Sequence, residues 1–157
     1  MKENINIIRK FYDAFKNHDG DAMAACYHEE ASFNDPAFVG LKGEEPGMMW
    51  KMLLSRSNTL QISYSDEWSD GNRGGAKWEA KYEFGPQKRK VHNKITAQFE
   101  FKDGLIIKHI DTFDFWKWSR MALGLPGILL GWSPFLKGKV QKQVRGLLNN
   151  FISSQAN

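Results

Sequence analysis

The chain has 157 residues, one cysteine and a formal net charge of +4. That length suits one domain with one substantial core. A single cysteine excludes an internal disulfide, and no apolar run approaches the ~20 residues needed to span a bilayer. Met1 to Asn6 is polar with no apolar run behind it, so no secretory leader is expected and the expected location is cytoplasmic.

The charge is unevenly placed. After Asp114 there is no Asp or Glu, and there are six basic residues: Lys117, Arg120, Lys137, Lys139, Lys142 and Arg145. Residues 1–114 keep 16 basic and 18 acidic side chains, a net of −2. The basic character therefore belongs to the tail. Six Trp and eleven Phe are many for this length; rings of that size fill a core or line a ligand cavity.

Residues 4 to 17 read as a helix. Ile5, Ile8, Tyr12 and Phe15 recur at helical spacing, and Ile7 and Phe11 widen the stripe. Asp19-Gly20-Asp21 breaks that helix and offers caps for a short second one, Ala22 to Tyr27. Cys26 inside it reads as a small buried hydrophobe rather than a nucleophile. Ala31 to Asp35 alternates as a short strand, and Pro36 holds Asp35 extended and ends the pairing. Gly43-Glu44-Glu45-Pro46-Gly47 starts a third helix, with proline in its first turn and two acids at its positive end. Met48, Met49, Met52 and Leu53 form its apolar stripe, with Trp50 off to one side.

Four strand signals follow: Gln61 to Glu67, Ala76 to Phe84, Val91 to Phe101 and Leu105 to Phe115. The breaks fall at Asp70-Gly71-Asn72, Gly85-Pro86 and Asp103-Gly104, and Asp-Gly between alternating runs is a strong hairpin signal. Helices followed by such a meander give an α+β fold. Its expected form is a curved antiparallel sheet with three N-terminal helices forming a cone, plus a C-terminal helical extension. The domain is expected to span 1–115, and an apolar, basic extension 116–157, packed on the domain or on a second subunit.

Alternation assigns the inward side chains. Trp78, Ala80, Tyr82 and Phe84 share one face; Val91, Asn93, Ile95, Ala97, Phe99 and Phe101 share another. On the last strand, Leu105, Ile107, His109, Asp111 and Phe113 are taken as inward. On the first, Ala31, Phe33 and Asp35 are. His28 and His92 read as exposed. The inward set is apolar except for Asp35, Asn93, His109, Asp111 and the Tyr82 hydroxyl. Two carboxylates in an apolar cavity push a pKa upward, the physical basis of acid–base work on a small apolar molecule. Asp35 also has a plainer role, capping the turn at its own proline; His109 and Asp111 have one in pairing with backbone or with each other.

The order helix, AFKNHDGDAMAACYHEEASFNDP, a helix led by GEE, then strands ending in FKDGLIIKHIDTFD resembles the nuclear transport factor 2-like superfamily over roughly residues 3 to 115. That superfamily is a cone-shaped α+β barrel that includes ketosteroid isomerases, SnoaL-like polyketide cyclases and limonene-epoxide hydrolases. The resemblance places the isomerase general base on Asp35, its oxyanion tyrosine on Phe11 and its protonated aspartate on about Ala97, so both donors are absent. The epoxide hydrolases' last-strand aspartate resembles Asp111, but their Arg/Asp pair is missing where Asn93, Ile95 and Ala97 stand. His109 and Asp111 match the acidic end of the sheet in the cyclases.

The resemblance implies a SnoaL-like small-molecule enzyme of isomerase, cyclase or hydrolase type. Its catalytic residues would be Asp35, His109 and Asp111, and its substrate-binding residues Tyr12, Trp50, Trp78, Tyr82, Asn93 and Phe113. No cofactor and no metal are expected. The alternative is a non-catalytic module that binds an apolar ligand or assembles with a partner. In the tail, Ser133-Pro134 reads as the N-cap and first position of a last helix, with an apolar stripe of Val140, Val144, Leu147, Leu148 and Phe151. The expected partners are a small apolar molecule and a second copy in a homodimer. A membrane surface met through residues 116–157 is an alternative, and nucleic acid is set aside.

Overall fold

The computed structural model describes residues 2–156, with side chains from residue 4 onward. Helix α1 (Lys2–Lys16) buries Ile8, Phe11, Tyr12 and Phe15, the stripe its spacing requires. It stops at His18, whose φ is 55°. Asp19 then caps α2 (Gly20–Ala25), its Oδ1 accepting from the Ala22 N–H at 3.0 Å.

Strand β1 (Tyr27–Asn34) follows at once, then a two-residue β2 (Leu41–Lys42) and helix α3 (Glu45–Arg56). The meander comprises β3 (Gln61–Asp70), β4 (Arg73–Phe84), β5 (Arg89–Lys102) and β6 (Leu105–Thr112). Together they form one curved mixed sheet in the order β2-β1-β6-β5-β4-β3. The meander pairs are antiparallel, while β1 joins β6 in parallel. Asp103 and Gly104 both have positive φ, 54° and 75°, the left-handed pair that a two-residue hairpin turn needs.

Four local readings change. On β6 the inward residue at the start of the strand is Ile106, fully buried, while Leu105 and Ile107 are only half-buried, because the register shifts where β6 meets Glu100 and Phe101. Tyr27 belongs to β1, not to α2, because it pairs with Ile106 across the parallel ladder; a long-range partner overrides the local helix signal. Trp50 is not off to one side of α3: it is 3% exposed, wedged 5.0 Å from Phe15 and 5.6 Å from Phe33 between centroids. Helix α3 is enclosed on more than one face, so a single stripe underestimates its core. His28 is largely buried rather than exposed, its side chain 11% accessible beside Asp103.

The C-terminal residues form α4 (Phe115–Leu123), α5 (Leu125–Leu130) and α6 (Pro134–Gln155). Asp114 caps α4, and Ser133 caps α6 through Oγ, which accepts from the Leu136 N–H at 3.3 Å. Helix α6 is tied to the first half of the chain. Arg145 forks onto Glu45, Nη1 to Oε2 at 2.6 Å and Nη2 to Oε1 at 3.3 Å, and the Gln141 amide donates to the Pro36 carbonyl at 3.0 Å. Phe115, Leu136 and Val140 form a second small core against Ala37, Phe113 and Trp118. The extension therefore covers the turn that carries Asp35.

Candidate functional site

Parallel pairing of β1 with β6 aligns Phe33 with His109, and antiparallel pairing of β6 with β5 aligns His109 with Phe99 and Asp111 with Ala97. His109 and Asp111, two residues apart on one strand, thus point to the same side. Both are buried, at 0% and 3% exposure. The His109 Nε2 lies 2.8 Å from Asp111 Oδ1, and its Nδ1 lies 2.7 Å from the Tyr27 hydroxyl. The Trp50 indole N–H donates to that hydroxyl at 2.8 Å.

An indole can only donate, so the Tyr27 hydroxyl accepts from Trp50. An ionised Asp111 can only accept; with a neutral imidazole it would bond the proton on His109 Nε2 and leave Nδ1 to accept from Tyr27. A second, longer contact runs from Trp78 Nε1 to Asp111 Oδ1 at 3.4 Å.

Among the described residues, two buried polar atoms have no hydrogen-bond partner: Asp111 Oδ2 and the Tyr12 hydroxyl. Buried groups of this kind are rare and each calls for a reason. Burial, first, and the charge of Asp111, second, raise the Tyr12 pKa well above that of an ordinary phenol, so it stays a proton donor. Tyr27 is raised likewise, mainly by burial, against the bond from Trp50. The interior thus holds an unbonded donor and an unbonded acceptor that feel each other's field.

Asp35 sits at the rim, partly buried. Its Oδ1 caps the turn, accepting from the Ala37 and Phe38 N–H groups at 2.7 and 2.6 Å. The capping role read from Asp-Pro is therefore present. The carboxyl is nonetheless pushed up to about 7: burial dominates, the Phe38 and Ala37 N–H groups oppose it, and the charge of Asp111 adds to the rise. Tyr82 feels Asp35 in turn; burial chiefly raises its pKa, and its hydroxyl accepts from Trp118 of α4 at 2.8 Å.

The expected residues thus fall into two groups. Tyr12, Trp50, Trp78, His109 and Asp111 form an inner cluster. Asp35, Tyr82 and Phe113 belong to the rim, where Phe113 touches both cores. Asn93 faces inward opposite Ala80 and is buried, but among the described residues it bonds none of them. Tyr27 and Trp118 carry no local signal for the site: Tyr27 reads as the end of a helix, and Trp118 lies in the extension, where no periodicity aims it at the sheet. Cys26 is buried, its Sγ donating to the Ala22 carbonyl at 3.4 Å, and burial raises its pKa to about 11.

Rings fill the space around His109: Phe99 at 4.4 Å, Phe33 at 4.8 Å and Phe11 at 5.6 Å between centroids. Two open surface clefts lie elsewhere. One, of about 650 Å³, is lined by Gln87, Arg89, Lys90, Lys117, Arg120 and Met121; the other, of about 560 Å³, lies between Asn17–Asp21 and Lys51–Ser55. Neither is lined by Asp35, His109 or Asp111, so the open apolar pocket expected between the carboxylates is not what these clefts supply.

Residues 8–109 match the SnoaL-like domain family, and no curated protein matches the chain. Solved structures share the fold. A nuclear transport factor 2-like protein of unknown function from Burkholderia pseudomallei aligns with a TM-score of 0.67 at 15% identity, over 77% of this chain and 98% of that one. An LEH-like epoxide hydrolase from M. tuberculosis aligns at 0.62 and 22% identity, over 82% and 96%. A proposed polyketide cyclase from Xanthomonas campestris aligns at 0.62 and 18%, over 76% and 96%. At such identities the likeness is one of fold alone. The family match covers most of the chain and includes β1, α3 and the His109 end of β6, so this chain belongs to the SnoaL-like domain family.

Proposed function

We propose that the chain is a cofactor-independent acid–base enzyme, of isomerase, cyclase or hydrolase type, acting on a small apolar substrate. The observation that carries this reading is Asp35: a carboxyl raised to about 7, one oxygen held by two N–H groups and the other without a bond among the described residues. A base poised near neutral pH has the right affinity for a substrate proton. Asp35 Oδ2 takes that proton, from carbon or from water. The negative charge left on the substrate needs a donor, and the Tyr12 hydroxyl is a buried donor with no acceptor among the described residues. His109, fixed by Tyr27 and Asp111, holds the inner wall in place. Entry requires Trp118 to leave Tyr82.

The test is a panel of apolar ketones, diketones and epoxides, followed by deuterium uptake from D2O and by ring opening. Turnover is expected that is lost in Asp35→Asn and Asp111→Asn while an apolar dye still binds. A second reading, a non-catalytic apolar-ligand-binding or assembly module, is favoured in its assembly form by the close ring packing around His109, which makes the inner cluster part of the core. No turnover of any panel member would select the non-catalytic reading, and apolar dye binding would then separate its ligand-binding form from its assembly form.

A further inference from the structure

The segment from Leu125 to Phe135 turns its large apolar side chains outward. Leu125, Ile128, Leu129, Leu130, Trp132 and Phe135 are between 43% and 72% exposed, and Trp116 beside them is 43% exposed. Packing fixes this orientation. A Cβ on Gly127 would lie 1.9 Å from the Ser119 carbonyl oxygen, and one on Gly131 would lie 2.0 Å from Ser119 Oγ. The two glycines, four apart, press α5 onto α4, so every larger residue of α5 faces away. The Trp116 indole donates to the Ile128 carbonyl at 3.4 Å and the Trp132 indole to Leu129 at 2.9 Å, holding the rings in the same surface. A contiguous apolar face of this kind marks an interaction site.

Charge says what the face meets. The cleft of about 650 Å³ lined by Arg89, Lys90, Lys117 and Arg120 has no carboxylate in its lining. The Arg120 guanidinium lies 4.5 Å over the Trp116 ring, so cleft and apolar face are one surface. Arg89 is engaged inward, Nε to the Met121 carbonyl at 2.9 Å. Lys117, Arg120, Lys137, Lys139 and Lys142 are exposed and take part in none of the ion pairs among the described residues. Two copies of this face brought together about a two-fold axis would oppose like charges. A surface that is apolar on one side and anionic in its headgroups suits it on both counts.

The structure assigns Leu125–Phe135, with the cations of α4 and of the first turns of α6, as a docking face for an anionic lipid bilayer. Leu129, Trp132 and Phe135 enter the interfacial layer, and Lys117 and Arg120 meet headgroup phosphates at the cleft. No helix of the described residues is long and apolar enough to cross a membrane, so the attachment is peripheral. It stands independently of the acid–base reading. Helix α4 thus carries Trp116 in this face and Trp118 against Tyr82.

The experiment is flotation of the full chain with vesicles of phosphatidylcholine alone and of phosphatidylcholine mixed with phosphatidylglycerol, at low and high salt. Binding is expected only to the mixed vesicles, weakened at least about tenfold by high salt and accompanied by a blue shift of tryptophan emission. The double variant Leu129→Glu/Trp132→Glu should not float, and Lys117→Glu/Arg120→Glu should bind at least about tenfold more weakly, both with unchanged circular dichroism. Failure of the wild-type chain to float with phosphatidylglycerol overturns the assignment. So does equal binding to phosphatidylcholine alone. A concentration-dependent dimer that Leu129→Glu converts to monomer, with no flotation, would give the face to a second copy.

Discussion

Asp35 does two things with one carboxyl, and its pH behaviour separates them. Its folded pKa of about 7 lies above the usual 3.8. Folding therefore takes up a proton between those values. The carboxyl's contribution to stability is complete below about pH 4 and is lost as pH rises through about 7. Asn keeps the capping oxygen but cannot ionise. Asp35→Asn is expected to be more stable than wild type by on the order of 1–2 kcal/mol at about pH 8, with the gap closing towards about pH 4, as read by urea unfolding. The inner cluster behaves differently, since its cost is one of unmet bonds. Tyr27→Phe strips the acceptor from Trp50 and the donor from His109. It should cost about 2–4 kcal/mol, because two buried polar groups lose partners together.

At the scale of elements, helix contacts are tight where the sequence puts small residues. A Cβ on Gly47 of α3 would lie 2.7 Å from the Ala24 Cβ and 3.1 Å from its Cα. Gly47→Ala should therefore part α2 from α3 at a cost of about 1–3 kcal/mol, seen as a lower unfolding midpoint. Ser133→Ala removes the cap of α6 and should cost about 1 kcal/mol. The same Ser133 shows what was legible beforehand: Ser-Pro is a local signal, and α6 starts at Pro134. The Asp103-Gly104 hairpin is likewise local, since its backbone needs two left-handed residues. What was not legible depends on distant partners. Tyr27 enters β1 because Ile106 is there to meet it, and two-residue β2 exists only as a ladder against Ser32 and Phe33. Helices α4 and α5 escaped because Gly124, Pro126, Gly127 and Gly131 break any periodic pattern, although those glycines are what pack them.

For the whole molecule, alternation along β4, β5 and the second half of β6 was enough to bring His109, Asp111, Trp78 and Tyr82 to one side of a curved sheet; in the first half of β6 a register shift puts Ile106 in the core in place of Leu105 and Ile107. Alternation could not say how full the interior is. That depends on how Phe11, Phe33, Trp50 and Phe99 meet around His109, and on a C-terminal extension whose Trp118 closes over Tyr82. Everything chemical then rests on Asp35: burial, with the charge of Asp111 adding to it, holds its carboxyl near neutrality. The most direct measurement is an NMR titration of the aspartate carboxyl carbons in the wild-type chain and in Asp111→Asn. The expected result is an Asp35 midpoint at about 7 that falls when the Asp111 charge is removed. A midpoint in the ordinary carboxylate range, unmoved by Asp111→Asn, would contradict it.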